Sequence, residues 1–366
     1  MQSASSVLAD QFADIVERLP AGLDLDRLAA ETKAIQRKRE LVDGASLLRL
    51  ALARGPGGLS LRQTSAWVSM LGIAELSNPG VKYRLNQAAD FLAALVERLL
   101  AAKAPGADLR WPGRILRLAD GTCVSKPGSQ GADWRIHGVF DLGRGGFSHL
   151  ELTDQHGAEA LERGAPLPGE IRIGDRNYAR APVLHRFRSR SSGQADFIVR
   201  VGWNALELRT AKGKPFDLIG YLQGLPAGMK PHQVKLSAAA GRDKPAMALR
   251  LIVQRKTPEA AEATRLTLRR AAVRKGRKLD PQSLVAAEFM ILATSLPSKG
   301  YSATAVVAVY RLRWQIELAF KRLKSLLHID QLPTRTDRGS RSWLYAHLIL
   351  ALLCDDLSQD FLEASP

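Results

Sequence analysis

Along the first hundred residues, apolar positions recur every three to four residues, the spacing of one helical face. The segments SSVLADQFADIVERL, ELVDGASLLRLALAR and AADFLAALVERLLAA each read as an amphipathic helix. Between the last two lies LSLRQTSAWVSMLGIAELSNPGVKYRLNQA, interrupted at Gly72 and at an SNPG turn. This pattern suits two short helices, in a helix-turn-helix unit or in a plain helical bundle. In the first arrangement Lys82, Tyr83 and Arg84 would open the second helix, where base-edge and phosphate contacts are made. The stretch 103–114, KAPGADLRWPGR, reads as a linker.

After the linker the period changes. RILRLAD (114–120), DWRIHGVFDL and GFSHLELTD read as strands, the last two joined by a GRGG turn. A short helix is expected at GAEALERG, a strand at GEIRIGD (169–175), a helix at RAPVLHRFRSR and a strand at DFIVRVGW (196–203). That order is the order of a ribonuclease H-like core. Residues 204–285 interrupt it with short strands and a basic helical segment, and EFMILATSLP (288–297) returns to an apolar strand. A helix over 310–328 follows, and WLYAHLILALLCDDL from Trp343 reads as a buried helix. The expected class is α/β. A helical N-terminal domain (1–108) precedes a split core (109–203 and 286–335), which is interrupted by a β-rich insertion (204–285) and followed by a C-terminal helical segment (336–366).

Charge sharpens the picture. Lys and Arg number 53 against 36 Asp and Glu, a formal net charge of +17. A field of that sign favours a polyanion, with nucleic acid ahead of an anionic membrane because no apolar run reaches the roughly 18 residues of a spanning helix. The two cysteines, Cys123 and Cys354, supply neither a disulfide framework nor a zinc knuckle. That fits a reducing, cytoplasmic and nucleoid-associated setting. RLTLRRAAVRKGRK (265–278) carries seven cations and no acid; it would clamp DNA or form a solvated face. Residues 351–366 carry four acids and no cation, so this tail is not expected to touch DNA.

Three acids stand out. Asp120 and Asp175 each follow an apolar strand in a Gly-flanked turn, ADGT and GDRN. Strand ends of an α/β sheet project side chains into the crevice where sites form, and acids there hold hard cations. On a helical wheel of 310–328, Arg313, Trp314, Glu317, Lys321, Lys324 and His328 fall within about 60° of Tyr310. Leu312, Ile316, Ala319, Phe320, Leu323, Leu326 and Leu327 lie opposite. Such a stripe is either a solvated face laced by i,i+4 pairs or a metal-holding carboxylate among phosphate-binding cations.

Tyr310, Arg313, Glu317 and Lys324 reproduce the spacing Y-(2)-R-(3)-E-(6)-K. Together with DGT at Asp120, GDRNY at Asp175 and ILATSLP, this resembles the insertion-sequence DDE transposases that carry that signature. The resemblance covers roughly residues 50–350. It implies a catalytic triad of Asp120, Asp175 and Glu317, with Tyr310, Arg313 and Lys324 on the phosphates of the transposon end. It also implies an N-terminal domain that helps bind the terminal inverted repeats. Trp314, Lys321 and Arg176 are further candidate DNA contacts, Arg176 being equally suited to a local salt bridge. Phe289 stands where relatives carry a base-stacking aromatic, and suits a core position equally well.

The chemistry so implied is in-line attack on a phosphodiester, assisted by two Mg²⁺ ions held by the three carboxylates, with Mn²⁺ as a substitute. Asp120 would bridge both ions. The expected partners are double-stranded DNA, both element ends and target, and a second copy of the chain on DNA. A nuclease without strand transfer and a catalytically silent DNA-binding inhibitor are the competing functions.

Overall fold

The structure is a computed structural model that describes residues 12–37, 40–106, 110–239 and 246–364, with side chains as far as Asp356 in the last helix. The start of the first expected helix, the middle of the linker and the final residues lie outside the described residues. The chain forms two compact units: Met1–Gly106 with Gly121–Gly157 and Leu318–Pro366, and Ala107–Asp120 with Ala158–Glu317.

The first unit is mainly helical. Its N-terminal elements are α1 (Phe12–Glu17), α2 (Leu25–Glu31), α3 (Gly44–Arg54), α4 (Leu61–Met70), α5 (Asn78–Gln87) and α6 (Ala89–Ala101). Short polar side chains start them. Asp24 caps α2, Asp43 caps α3, Ser77 caps α5, and Ser60 forms a capping box with Gln63 on α4. Each cap contributes about 1 kcal/mol. The interrupted segment does form two short helices, α4 and α5. Lys82, Tyr83 and Arg84, however, sit inside α5 rather than at its start, and Arg84 turns back to pair with Glu40 at 3.6 Å.

The last helix, α13 (Asp337–Ala364), lies along α6 and also touches α3 and α5. Leu344, Leu348, Ile349 and Leu352 on α13 are buried, as are Phe91, Leu92 and Leu95 on α6. The apolar stretch from Trp343 is therefore a core helix of the N-terminal unit. A hairpin of β2 (Trp134–Asp141) and β3 (Gly146–Asp154) completes the unit, and GRGG is its turn as expected. Gly138 is required there: a Cβ would stand 2.7 Å from Phe320 and 2.8 Å from Phe147.

The second unit is built on a sheet. The stretch Ile115–Leu118 of β1 (Ile115–Val124) pairs parallel with β4 (Glu170–Gly174), and β4 pairs parallel with β5 (Asp196–Arg200) across the helix α7 (Ala181–Arg190). β9 (Phe289–Thr294) then pairs antiparallel with β5, β8 (Met247–Arg255) with β9, β7 (His232–Ala238) with β8, and β6 (Leu208–Arg209) with β7. The strands of 204–285 thus extend the same sheet through β9. Ile171, Ile173, Phe197, Ile198 and Val199 are fully buried, as strands covered on both faces demand, and Glu170 and Arg172 are buried with them. Helices α8 (Leu218–Gln223), α9 (Pro258–Arg274) and α10 (Pro281–Ala286) lie in the same stretch of chain, and α11 (Ala303–Tyr310) follows β9.

Three sequence expectations are corrected. No helix forms at 157–164, because the carbonyls of Leu161, Arg163 and Gly164 accept from the buried Arg172 guanidinium instead of closing a helical ladder. The strand of Asp120 does not end there: β1 runs on to Val124. Residues 310–328 are not one helix. α11 ends at Tyr310, a 3₁₀ turn spans Arg311–Arg313, and α12 runs Trp314–Ser325. Such a tightened turn is common where helical segments meet.

Candidate active site

Strand register brings the two aspartates together. β1 and β4 pair in parallel up to Leu118 opposite Ile173. Two residues further along each chain stand Asp120, still within β1, and Asp175, just past the end of β4, so the two lie side by side beyond the paired stretch, where strands lie about 4.8 Å apart. The β4–β5 register ends with Gly174 opposite Val199, and the next residues are Asp175 and Arg200. Three charged side chains thus stand abreast on β1, β4 and β5.

Asp175 starts the 3₁₀ turn Arg176–Tyr178, its Oδ1 accepting from the Asn177 amide at 2.8 Å. The turn folds Tyr178 under the strand end, 2 % exposed. Gly174 permits this, since a Cβ there would lie 3.0 Å from the Tyr178 ring. Burial raises the Tyr178 phenol well above its ordinary value, and the charges of Glu159, Asp120 and Asp175 push the same way. The hydroxyl therefore keeps its proton beside both aspartates.

Glu317 enters through Arg313. The Arg313 guanidinium lies 3.5 Å from Asp120 Oδ2 and also donates to Glu317 Oε1. Burial works against the guanidinium's charge, but the Glu317 hydrogen bond, Tyr310 and the two carboxylates outweigh it and hold its pKa raised. Tyr310, 7 % exposed, has its own pKa raised by burial and by Asp175, against the lowering from Arg313 and Arg200. Glu317 sits in the first turn of α12, where a negative charge complements the helix dipole. Asp120, Asp175, Arg200, Tyr310, Arg313 and Glu317 accordingly form one charged cluster in the second unit.

The remaining predicted residues are placed as follows. Trp314 is 49 % exposed beside the cluster. Arg176 is exposed and has no salt bridge among the described residues. Phe289 is 4 % exposed, and its ring carries the Arg255 guanidinium at 4.5 Å. Lys321 and Lys324 lie one and two turns beyond Glu317 on α12, in its portion belonging to the first unit. In the basic segment 265–278, Arg265 and Arg269 both pair with Glu262, and Arg265 also with Glu288. Among the described residues no group of three or more His, Cys, Asp or Glu is gathered closely enough to hold a metal ion. The carboxylates are linked here through a guanidinium and through strand register.

This ordered set of two strand-borne aspartates and one helical glutamate falls within a matched family. The family described as Transposase DDE domain matches residues 111–353, which include all three acids. The chain belongs to the insertion-sequence DDE transposases. InsL, the transposase assigned to insertion sequence element IS186A of Escherichia coli strain K12, is 41 % identical over 98 % of this chain and 96 % of its own length. The transposase for insertion sequence element IS421 of Escherichia coli is 41 % identical over the same shares. A piggyBac transposase synaptic complex with hairpin DNA shares 10 % identity at a TM-score of 0.46, over 95 % of this chain and 72 % of that one. As a DDE transposase, the chain is an enzyme of DNA strand cleavage and transfer. No helix among its described residues is long and apolar enough to cross a membrane.

Two cations of this transposase escaped sequence reading. Arg200 ends β5 beside Asp175, and Lys256 follows β8. Burial, then Arg176 and Arg313, lower the Arg200 pKa, while Tyr310 and Asp175 act the other way. The available signal was DFIVR itself, a strand closing on a cation as β4 closes on an acid.

Proposed function

We propose that this transposase cuts the DNA at the terminal inverted repeats of its element and joins the ends to target DNA, using Asp120, Asp175 and Glu317 on a ribonuclease H-like core. The observation that carries the assignment is the Arg313 guanidinium in contact with both Asp120 and Glu317, acids nearly two hundred residues apart in the chain. The parallel trio β1, β4 and β5, with the aspartates side by side just beyond the β1–β4 pairing, supports the core assignment.

The carboxylate oxygens suit a hard divalent cation such as Mg²⁺. Glu317, with a side chain 53 % exposed, can exchange its guanidinium partner for one. Asp120, Asp175 and Glu317 would hold two such ions. When bound, they polarise the phosphate and activate the attacking hydroxyl or water. Arg313 then stays between Asp120 and the DNA, where its fork suits a phosphate oxygen pair. Tyr310 steadies Arg313 by hydrogen bonding. Arg176, Trp314, Lys321 and Lys324 add contacts along the end DNA, and Phe289 backs the strand ends from within. The helical N-terminal domain contributes inverted-repeat binding, and two copies of the chain hold the two ends.

The test is a Mg²⁺-dependent nicking and strand-transfer assay on the element's own ends. Asp120→Asn, Asp175→Asn and Glu317→Gln should each abolish cleavage while end binding stays nearly intact. Normal nicking by purified Glu317→Gln protein overturns the triad.

A further inference from the structure

Within the first unit, residues of α3, α4, α5 and α13 enclose a cavity of about 170 Å³. Ala51, Leu61, Leu85, Pro333 and Trp343 give it apolar walls, and no Asp or Glu lines it. Its polar groups lack acceptors. Arg54 is half-buried, donates from Nη1 to the Leu59 carbonyl at 3.0 Å, and pairs with no carboxylate among the described residues. Ser342, 2 % exposed, lines the same cavity, and its hydroxyl has no partner among the described residues. The Asn86 side-chain amide and the Trp343 indole N–H make no hydrogen bond there either.

Buried polar groups are ordinarily hydrogen-bonded, and half-buried charges are ordinarily paired. Ser342 breaks the first rule and Arg54 the second. Burial lowers the Arg54 pKa, and no acid acts the other way. A water molecule can serve the hydroxyl but cannot neutralise the guanidinium; an anion does both. The walls select its body. Trp343 is held firm by the His347 ring, at 3.7 Å between centroids. Gly339 lets α13 come close to α5, since a Cβ there would stand 3.2 Å from Asn86 Oδ1. Apolar walls with a few convergent polar groups are the pattern of a small-molecule site. A dry cavity of about 150 Å³ takes up benzene, so this one has room for a single ring and a small substituent.

We propose that this cavity binds a small aromatic carboxylate, with its ring against Leu85 and Trp343 and its carboxylate on Arg54 and the Ser342 hydroxyl. Nη1 of Arg54 is committed to Leu59, which leaves the other N–H groups of the fork for the two carboxylate oxygens. One enclosed cation calls for one negative charge, which a carboxylate carries and a phosphate group exceeds. The bound acid joins α3, α5 and α13 and so stabilises the helical unit. None of these residues belongs to the cluster of Asp120, Asp175 and Glu317, so the inference stands apart from the transposase reading.

The experiment titrates the full chain with benzoate by calorimetry and follows thermal unfolding in parallel. Benzoate should bind one site and raise the Tm, whereas benzamide, its neutral counterpart, should bind about tenfold more weakly. Arg54→Met should lower benzoate affinity about tenfold or more and remove the rise in Tm. Arg54→Lys, which keeps the charge and loses the fork, should lose less. Ser342→Ala should lower affinity about five-fold without lowering the Tm of the free protein, because the hydroxyl has no partner to lose. Absence of binding up to about 10 mM benzoate overturns the site, since a ligand of that size in a matched pocket binds more tightly. Equal affinity for benzamide, or unchanged benzoate affinity in both Arg54→Met and Ser342→Ala, overturns it as well. Displacement of benzoate by inorganic phosphate at equal concentration assigns the cavity to a simple anion and also overturns it. If benzoate is inert and Arg54→Met instead weakens binding of the element's end duplex, the residues serve DNA and the proposal falls.

Discussion

Two clusters of guanidinium and carboxylate lie in the same unit and behave in opposite ways. Arg172 and Glu170 are both fully buried and bond at 2.5 Å. Arg172 also donates to three carbonyls at 2.6 to 2.8 Å, and Glu170 accepts from the Leu167 amide at 2.9 Å. Arg313, by contrast, reaches Asp120 and Glu317 with side chains 20 %, 21 % and 53 % exposed. Water competes at the second cluster and not at the first. A buried pair cannot lose a partner without stranding a charge, at a cost of 3–5 kcal/mol, on the order measured for such pairs. An exposed pair contributes roughly 0–1 kcal/mol and changes partners readily. The lesson is that exchangeable carboxylates are available for chemistry, whereas committed ones hold the sheet that presents them.

The largest expected effect breaks the second cluster. Glu317→Gln should lower Mg²⁺-dependent cleavage on the order of 10⁴-fold, the scale for one member of a cooperating catalytic set. Its urea midpoint should correspond to a change of less than about 1 kcal/mol. A large loss of stability would merge the two clusters and end the contrast. Arg172→Met should show the reverse. Unfolding in urea should reveal about 3–5 kcal/mol of lost stability, with cleavage per folded molecule little changed.

A buried titratable group in the other unit sharpens the same contrast. His347 is 1 % exposed, donates from its ring to the Trp343 carbonyl at 2.7 Å and is pushed down to about 4 by burial. Its folded pKa lies below its unfolded value near 6.5, so the unfolded chain binds the extra proton between those values. Stability should therefore be full above about pH 6.5 and fall by about 3 kcal/mol as pH drops toward 4. Urea midpoints at pH 7 and pH 5 should converge in His347→Leu relative to wild type. The smallest effect lies at the far end of α12. Lys324→Ala should weaken end binding modestly and flatten its salt dependence by about one unit, read by titration at several salt concentrations.

Much of the site was legible because its signals are local. Arg313 and Glu317 are one helical turn apart, and the apolar face opposite them is buried at Ile316, Ala319, Phe320 and Leu323, whereas Leu326, expected on the same face, lies past the end of α12 and is exposed. Asp175 was visible as an acid closing an apolar strand. Arg200 closes an apolar strand just as visibly, but nothing local marks the acid on the neighbouring strand, and Lys256 carries no local mark at all. The expected helix at 157–164 failed for a similar reason. Its carbonyls were claimed by Arg172, eight to eleven residues away.

The amino-acid sequence by itself determined the helical and strand periods, the cationic balance, and the order and spacing of the Asp120, Asp175 and Glu317 set. Those are properties of near neighbours and of composition, which folding leaves unchanged. Only the tertiary structure decided that Asp120 lies within β1 and not at its end, and that the strands of 204–285 extend the sheet through β9. It alone decided that α13 joins the N-terminal helices and that Arg200 stands abreast of Asp175. Each of these depends on register and packing between segments distant in the chain. Such choices are settled by which pairing buries the most apolar surface and leaves the fewest polar groups unpaired.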